Sequence, residues 1–267
     1  MNFSFFINNI EFTQYFSVFL NGTGLVFISG LLIAFSASFL GVFVISRKMA
    51  LVSDALSHVA LPGVGFAFLL GFDIFWGALV FLLFALFLVN KIKNKTHLSE
   101  ETLVGIIFTF SIALGVLLLP EHELLESLFG DISALTINDF WIILGGVFII
   151  IFILIKFFRE FSLVSFSEEW ARIQKIDVSF VNLLFFTMLA LSVAMGIKLI
   201  GTLLMSSLLI IPAASALNLS RKFSQMTVLS IIFGVVGMVA GLYLSSIYPI
   251  IPSGPAVVLV ETVIFGF

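Results

Sequence analysis

The sequence predicts an all-α, polytopic integral membrane protein with about eight to nine transmembrane helices. Three observations carry this. The composition is 61% hydrophobic and only 10% charged, with a mean hydropathy of +1.27. Apolar runs near the roughly twenty residues that a bilayer demands recur from residue 24 to the C-terminus. The runs do not alternate, which separates them from the dyad pattern of a transmembrane β-barrel. The chain has no cysteine, which removes disulfide frameworks, thiolate metal sites and thiol redox chemistry. The longest polar interval, Arg159–Asp177, is too short to be a soluble domain.

Each element follows from its run and its boundary. Residues 1–19 mix Phe3, Phe5, Phe6, Phe12 and Phe16 with a single charge, Glu11, and read as a segment lying at the membrane interface. Spans are expected at Gly24–Ser46, Leu51–Gly71, Phe75–Val89, Thr102–Leu119, Phe140–Phe157, Val178–Gly196, Leu199–Leu219 and Met226–Ile247. Lys198 reads as the separator between the sixth and seventh. The acidic stretch after Pro120 and the stretch 129–139 read as a loop with a short turn. A Pro- and Gly-rich stretch from Tyr248 precedes a last short apolar helix. Residues 20–267 thus form one membrane domain, with a polar loop at about 159–177.

Charge placement orients the chain. With Arg47/Lys48, Lys91–Lys95, Lys156–Lys175 and Arg221/Lys222 on the cytoplasmic side, eleven of the twelve Lys and Arg residues lie inside. The acidic loop Glu121–Asp139 then lies outside, as does the N-terminus. A multi-pass cell-membrane protein follows, with lipid as its surroundings and no nucleic acid as a partner.

The stretch from Arg47 to Gly71, RKMALVSDALSHVALPGVGFAFLLG, holds the chemistry. Asp54 and His58 are four residues apart and share one helix face. An acid and an imidazole in apolar sequence are costly unless they face each other, a cavity or an ion. Pro62, four residues beyond His58, has no N–H to offer the His58 carbonyl. A carboxylate, an imidazole and a loose carbonyl are the donor set of a cation site, with Ser57 and Pro62 as candidate pathway residues beside them. His58 stands about 15 Å along a helix from Arg47, near mid-membrane. A second reading stays open: Asp54 caps a helix and His58 hydrogen-bonds back to it. Carboxylate and imidazole suit zinc and manganese and accept ferrous iron, while the lack of thiolates argues against cuprous copper. Further pathway candidates are Ser206 and Ser207 beside Pro212, and Glu261 in the last helix. Packing is the competing reading for the serines, and a protonated, packed carboxyl for Glu261.

Beyond these local readings, the chain resembles the membrane permease subunits of zinc, manganese and iron ABC importers, the ABC-3 type. The resemblance rests on the 47–71 stretch, on LSEETLVGIIFTFSIALGVLLL at 98–119, SLFGDISALTINDFW at 127–141, FSEEWARIQKI at 166–176, and the long segment 201–260 with its LLIIPAA and SGP motifs. It implies a type II ABC importer-like permease in which Asp54 and His58 are the metal-coordinating pair. Two copies of the chain would form the pathway, ABC ATPase subunits would dock on the cytoplasmic face, and an extracytoplasmic binding protein would deliver the metal. It also implies that Phe166, Glu168, Glu169, Ala171, Arg172 and Lys175 belong to a coupling helix seated in the ATPase. The family pattern places a glycine after the Ala-x-x-x stretch, where this chain has Ile173-Gln174-Lys175 instead.

The residues support that division of labour. No G-x-x-x-x-G-K-[ST] phosphate loop occurs, so ATP is expected to bind the partner and no cofactor is expected here. The chain reads as a transport subunit and not an enzyme. The competing functional readings are a proton-coupled secondary carrier that uses Asp54, His58 and Glu261 as a relay, and a type II permease for an organic metal chelate.

Overall fold

The computed structural model describes residues 23–93, 95–96, 100–130, 135–248 and 251–266. The interfacial segment expected at 1–19 lies outside them. The described residues form helices and no strand. In chain order these are α1 (Thr23–Ser46), α2 (Ala50–Val59), α3 (Leu61–Leu70), α4 (Ile74–Lys93), α5 (Glu100–Leu118), α6 (Glu121–Phe129), α7 (Ile137–Lys156), α8 (Phe158–Phe166), α9 (Glu168–Ile173), α10 (Val178–Ile200), α11 (Thr202–Leu219), α12 (Phe223–Ile247) and α13 (Ser253–Gly266). Six stretches have the length and apolar character to cross a bilayer: Gly24–Ser46, Ala50–Leu70, Ile137–Lys156, Val178–Ile200, Thr202–Leu219 and Phe223–Ile247. The apolar helices Ile74–Val89, Thr102–Leu118 and Ser253–Gly266 are shorter.

Small residues decide the packing. Apolar side chains gain nothing by leaving lipid for each other, so membrane helices associate where backbones approach closely. Helix α1 is central and packs against α12, α11, α7 and α10. Its Ile33, Ala34, Ala37, Leu40 and Phe43 are fully buried. At Gly41 the missing side chain leaves room for the Leu209 carbonyl of α11. The Ser230 hydroxyl of α12 donates to the Ser38 carbonyl of α1 at 2.8 Å. Gly63 of α3 and Gly77 of α4 face each other, each carbonyl filling the space where the other's Cβ would stand. Large apolar side chains such as Val80, Phe87, Leu117, Phe148 and Ile155 point outward instead. Trp76, Trp141, Tyr243 and Tyr248 are exposed at the ends of α4, α7 and α12 away from the basic termini, an aromatic belt at one interface.

Two helix ends differ from the sequence expectation. Lys198 does not separate two spans; it lies in the last turn of α10, and the chain breaks at Gly201, whose φ of 78° only glycine adopts without strain. Lys198 is kept inside the helix by an ion pair: its Nζ meets Asp139 Oδ2 at 2.8 Å and Oδ1 at 3.0 Å. Asp139 caps α7 in return, accepting from Thr136 N at 2.7 Å and Thr136 Oγ1 at 2.6 Å. The expected acidic loop after Pro120 is also a helix, α6, with Glu121 and Glu123 in the first turn where the helix dipole favours them.

Lys48 and Lys175 are the non-glycine residues with left-handed φ among those described, at 59° and 60°. Both close a helix in the same way. Met49 N–H reaches Val44 O, and Ile176 N–H reaches Ala171 O, each across five residues at 3.0 Å. That is a Schellman closure, whose left-handed position glycine normally fills. Lys175→Gly is therefore expected to stabilise the chain by about 0.5–1 kcal/mol, relief of left-handed strain exceeding the added chain entropy. A rise in the thermal unfolding midpoint of the purified protein checks it; a fall would show that the lysine side chain contributes more than the strain costs.

Candidate cation site

Helix α2 is amphipathic in an unusual sense. Val52, Ser53, Leu56, Ser57 and Val59 turn into the chain and are buried. Leu51, Asp54 and His58, spaced for one face, turn away. Leu51 is 83% exposed, so at Leu51 this face is not covered by the other described residues. Asp54 and His58 are half-buried on it. Beside them runs a cleft of about 300 Å³, lined by Leu51, Val52, Asp54 and Ala55 of α2 and by Val104, Gly105 and Phe108 of α5. A side chain at Gly105 would meet nothing, so the α5 wall is open there.

His58 is held by its ring. Phe108 meets it edge-on, with centroids 5.5 Å apart. Its Nδ1 is buried and has no hydrogen-bond partner among the described residues. A buried imidazole nitrogen without a partner is costly unless something else binds there, and a neutral imidazole nitrogen is a metal ligand. Asp54 adds a carboxylate one turn earlier on the same face. The N-cap reading of Asp54 does not hold, because α2 starts at Ala50 with Met49 as its cap.

The other expected site residues are placed differently. The His58 carbonyl is not loose: the Ala60 N–H turns onto it where α2 ends. Pro62 is buried in the first turn of α3, where proline is tolerated. The Ser57 hydroxyl is buried and bonds back to the Ser53 carbonyl at 3.2 Å. Ser206 and Ser207 do the same to Leu203 and Leu204, at 3.2 and 2.7 Å, on α11, which packs against α2. Glu261 is 1% exposed and lies against Gly237 in the α12–α13 seam, and neither carboxylate oxygen has a hydrogen-bond partner among the described residues.

At the basic end, the expected coupling loop is two helices, α8 and α9. Ser167 caps α9, its hydroxyl accepting from the Trp170 N–H at 3.3 Å. Ala171 is fully buried and anchors it. Glu168 pairs with Arg172 at 3.7 Å. The charged residues had drawn the sequence argument, but the feature that stands out is apolar: Phe166, Trp170 and Ile173 are 71%, 64% and 72% exposed. Trp170 and Ile173 are three residues apart on one face of α9, and Phe166 ends α8 just before it, across the extended Ser167. At the opposite end, His122, Glu123 and Glu126 of α6 are the three-donor cluster among the described residues, with ligand atoms within 4.8 Å, and His122 stands largely in the open.

The sequence profile of the ABC 3 transport family matches residues 23–267. The chain belongs to the ABC 3 transport family. The match begins where α1 begins, so it spans the whole described helical body of this ABC 3 member. Among its relatives, the manganese transport system membrane protein MntC of Listeria monocytogenes is 34% identical over 230 residues, covering 85% of this chain and 82% of MntC. The high-affinity zinc uptake system membrane protein ZnuB of Haemophilus influenzae is 32% identical over 243 residues, covering 89% and 93%. In three dimensions the chain is similar to a chain of PsaBC from Streptococcus pneumoniae, solved in complex with Fab, with a TM-score of 0.82 and 32% identity over 92% of this chain and 89% of that one. The ABC 3 chain described here is thus a multi-pass protein of the cell membrane.

Proposed function

We propose that this chain is the membrane permease of an ABC importer that carries a divalent transition metal, manganese or zinc, into the cell, and that Asp54 and His58 hold the ion in transit. The observation that carries the site is the unpartnered, buried Nδ1 of His58 on the same open face as Asp54. A carboxylate and an imidazole suit both metals, and ferrous iron as well. The relatives named for manganese and for zinc keep both ions in view.

Two protein ligands are too few for either ion, which takes four or more. The face that carries them is not covered at Leu51 by the other described residues. We read this as half of a site that a second copy of the chain completes across a two-fold axis. Energy comes from a separate ATPase, since the chain has no phosphate loop. Phe166, Trp170 and Ile173 are the apolar face that seats in it, flanked by Glu168, Glu169, Arg172 and Lys175. A binding protein delivers the ion at the acidic end, near α6. Nine crossings follow if the shorter helices α4, α5 and α13 also span, within a permease body of residues 20–267.

The test is metal content of cells that express this chain with its ATPase and binding protein, measured for manganese, zinc and iron together. One metal is expected to rise only when the ATPase is active, and a Walker lysine substitution in that ATPase abolishes the rise. Uptake that persists with the inactive ATPase, and collapses with a proton ionophore, would transfer the chain to the secondary carriers.

A further inference from the structure

The basic end contains a continuous polar connection between α9 and the turn that starts α2. It begins at Glu168, in the first turn of α9, whose Oε1 accepts a hydrogen bond from Asn182 Nδ2 of α10 at 3.2 Å. The carbonyl oxygen of the same amide, Asn182 Oδ1, accepts from Arg47 Nη1 at 2.8 Å. Arg47 Nε donates to Ser165 Oγ of α8 at 3.0 Å, and the guanidinium lies over the Phe185 ring at 4.3 Å. Ser165 is itself fixed to the Phe161 carbonyl at 2.7 Å.

The chemistry of the middle residue fits only one orientation. A guanidinium has donors alone and a carboxylate has acceptors alone, so neither can serve both sides of a bridge. An amide presents an acceptor to the cation and a donor to the anion, and both bonds are charge-assisted. Arg47 has little freedom at the other end. It follows the last residue of α1, its N–H bonds to the Phe43 carbonyl, and the chain turns at Lys48 into α2. Asp54 lies seven residues beyond Arg47.

We propose that Glu168, Asn182 and Arg47 form the mechanical link by which displacement of α9 moves the α1–α2 turn, and with it Asp54 and His58. This rests on the reading of α9 as the ATPase contact. Asn182 is then a positioning residue for transport: it touches neither metal nor ATPase, yet it decides whether hydrolysis moves the ion. Backbone packing of α8, α9 and α10 transmits displacement in general, but the polar link is the direct side-chain path from α9 to the turn.

The experiment uses the full complex, this chain with its ATPase and binding protein, reconstituted in liposomes. Metal uptake and ATP hydrolysis are measured on the same preparation. Asn182→Leu keeps the volume and removes both hydrogen bonds. It is expected to lower metal moved per ATP by about tenfold, in proportion to a lost charge-assisted bond, while the ATPase still copurifies. Asn182→Asp keeps the acceptor for Arg47 but sets a carboxylate against Glu168, and lowers the ratio likewise. Adding Glu168→Gln to Asn182→Asp supplies a donor again and restores most of the ratio, which a merely structural role for position 182 would not predict. An unchanged ratio in Asn182→Leu, or no rescue by Glu168→Gln, overturns the link. Trp170→Ala keeps the two readings apart. If that variant binds ATPase as tightly as the intact chain, the docking reading fails. If it loses ATPase while Asn182→Leu transports normally, only the link fails.

Discussion

Asp54→Ala and His58→Ala each lower ATP-dependent metal uptake by about 100-fold or more, while the complex still assembles. Removing groups that merely support a metal ligand already costs about 10–100-fold in affinity, so removing a ligand reaches at least the upper end. The loss should fall on transport and not on folding. Both side chains are half-buried on a face that the other described residues leave partly open, and neither is among the buried core residues. The His58 change also removes the edge contact with Phe108, a minor term. Conservative variants sharpen the expectation. Asp54→Asn keeps the size and an oxygen but removes the charge, and it should remain strongly impaired. Measured metal uptake, with membrane amounts matched, reads the result. Uptake unchanged in both alanine variants would make the pair structural and would move the organic-chelate reading ahead.

Lys198→Met destabilises the chain by about 3 kcal/mol, because it leaves the Asp139 carboxylate buried without its cation. The Asp139 side chain is 6% exposed and that of Lys198 is 20% exposed. Asp73, 3.9 Å from the ammonium and more exposed, would lose a weaker interaction. For a chain of this size the apparent unfolding midpoint in detergent should fall by about 6–10 °C. Lys198→Met with Asp139→Asn should recover most of that fall. Asparagine keeps the oxygen that Thr136 donates to, and the charge still left without Lys198 is that of the more exposed Asp73. A single variant that shifts by less than about 2 °C would mean that water already solvates Asp139 and the pair contributes little.

The sequence made the long elements plain and the short ones obscure. The first span, expected at Gly24–Ser46, is α1 within one residue, because an apolar run met a basic pair at Arg47 and Lys48. Helices α6 and α8 do not stand out in the sequence, since nine residues give too few turns for a period to show, whereas α9 is expected as a short helix from its charge order and the family resemblance. Asp54 and His58 were legible as a pair because spacing along one helix is a local property. Phe108 and Gly105, which form the far wall of their cleft, were not, because nothing local ties α5 to α2. Lys198 shows the same limit. Read alone it interrupts an apolar run; its partner Asp139 is 59 residues away, and only the fold brings them together.

The break at Ala60 divides one membrane crossing into two bodies set end to end. The lower body, α3, is fastened to α4 through the contact of Gly63 with Gly77, where backbone meets backbone and nothing can slide without a clash. The upper body, α2, holds Asp54 and His58 and packs against α5 and α11. At the joint, Pro62 has no N–H, so a bend there breaks one hydrogen bond fewer than in an uninterrupted helix. A small swing of α2 about Ala60 would therefore carry the two proposed ligands sideways while α3 stays where it is. An ion carrier must shift its cargo without opening a leak, and this crossing gives the two duties to different halves.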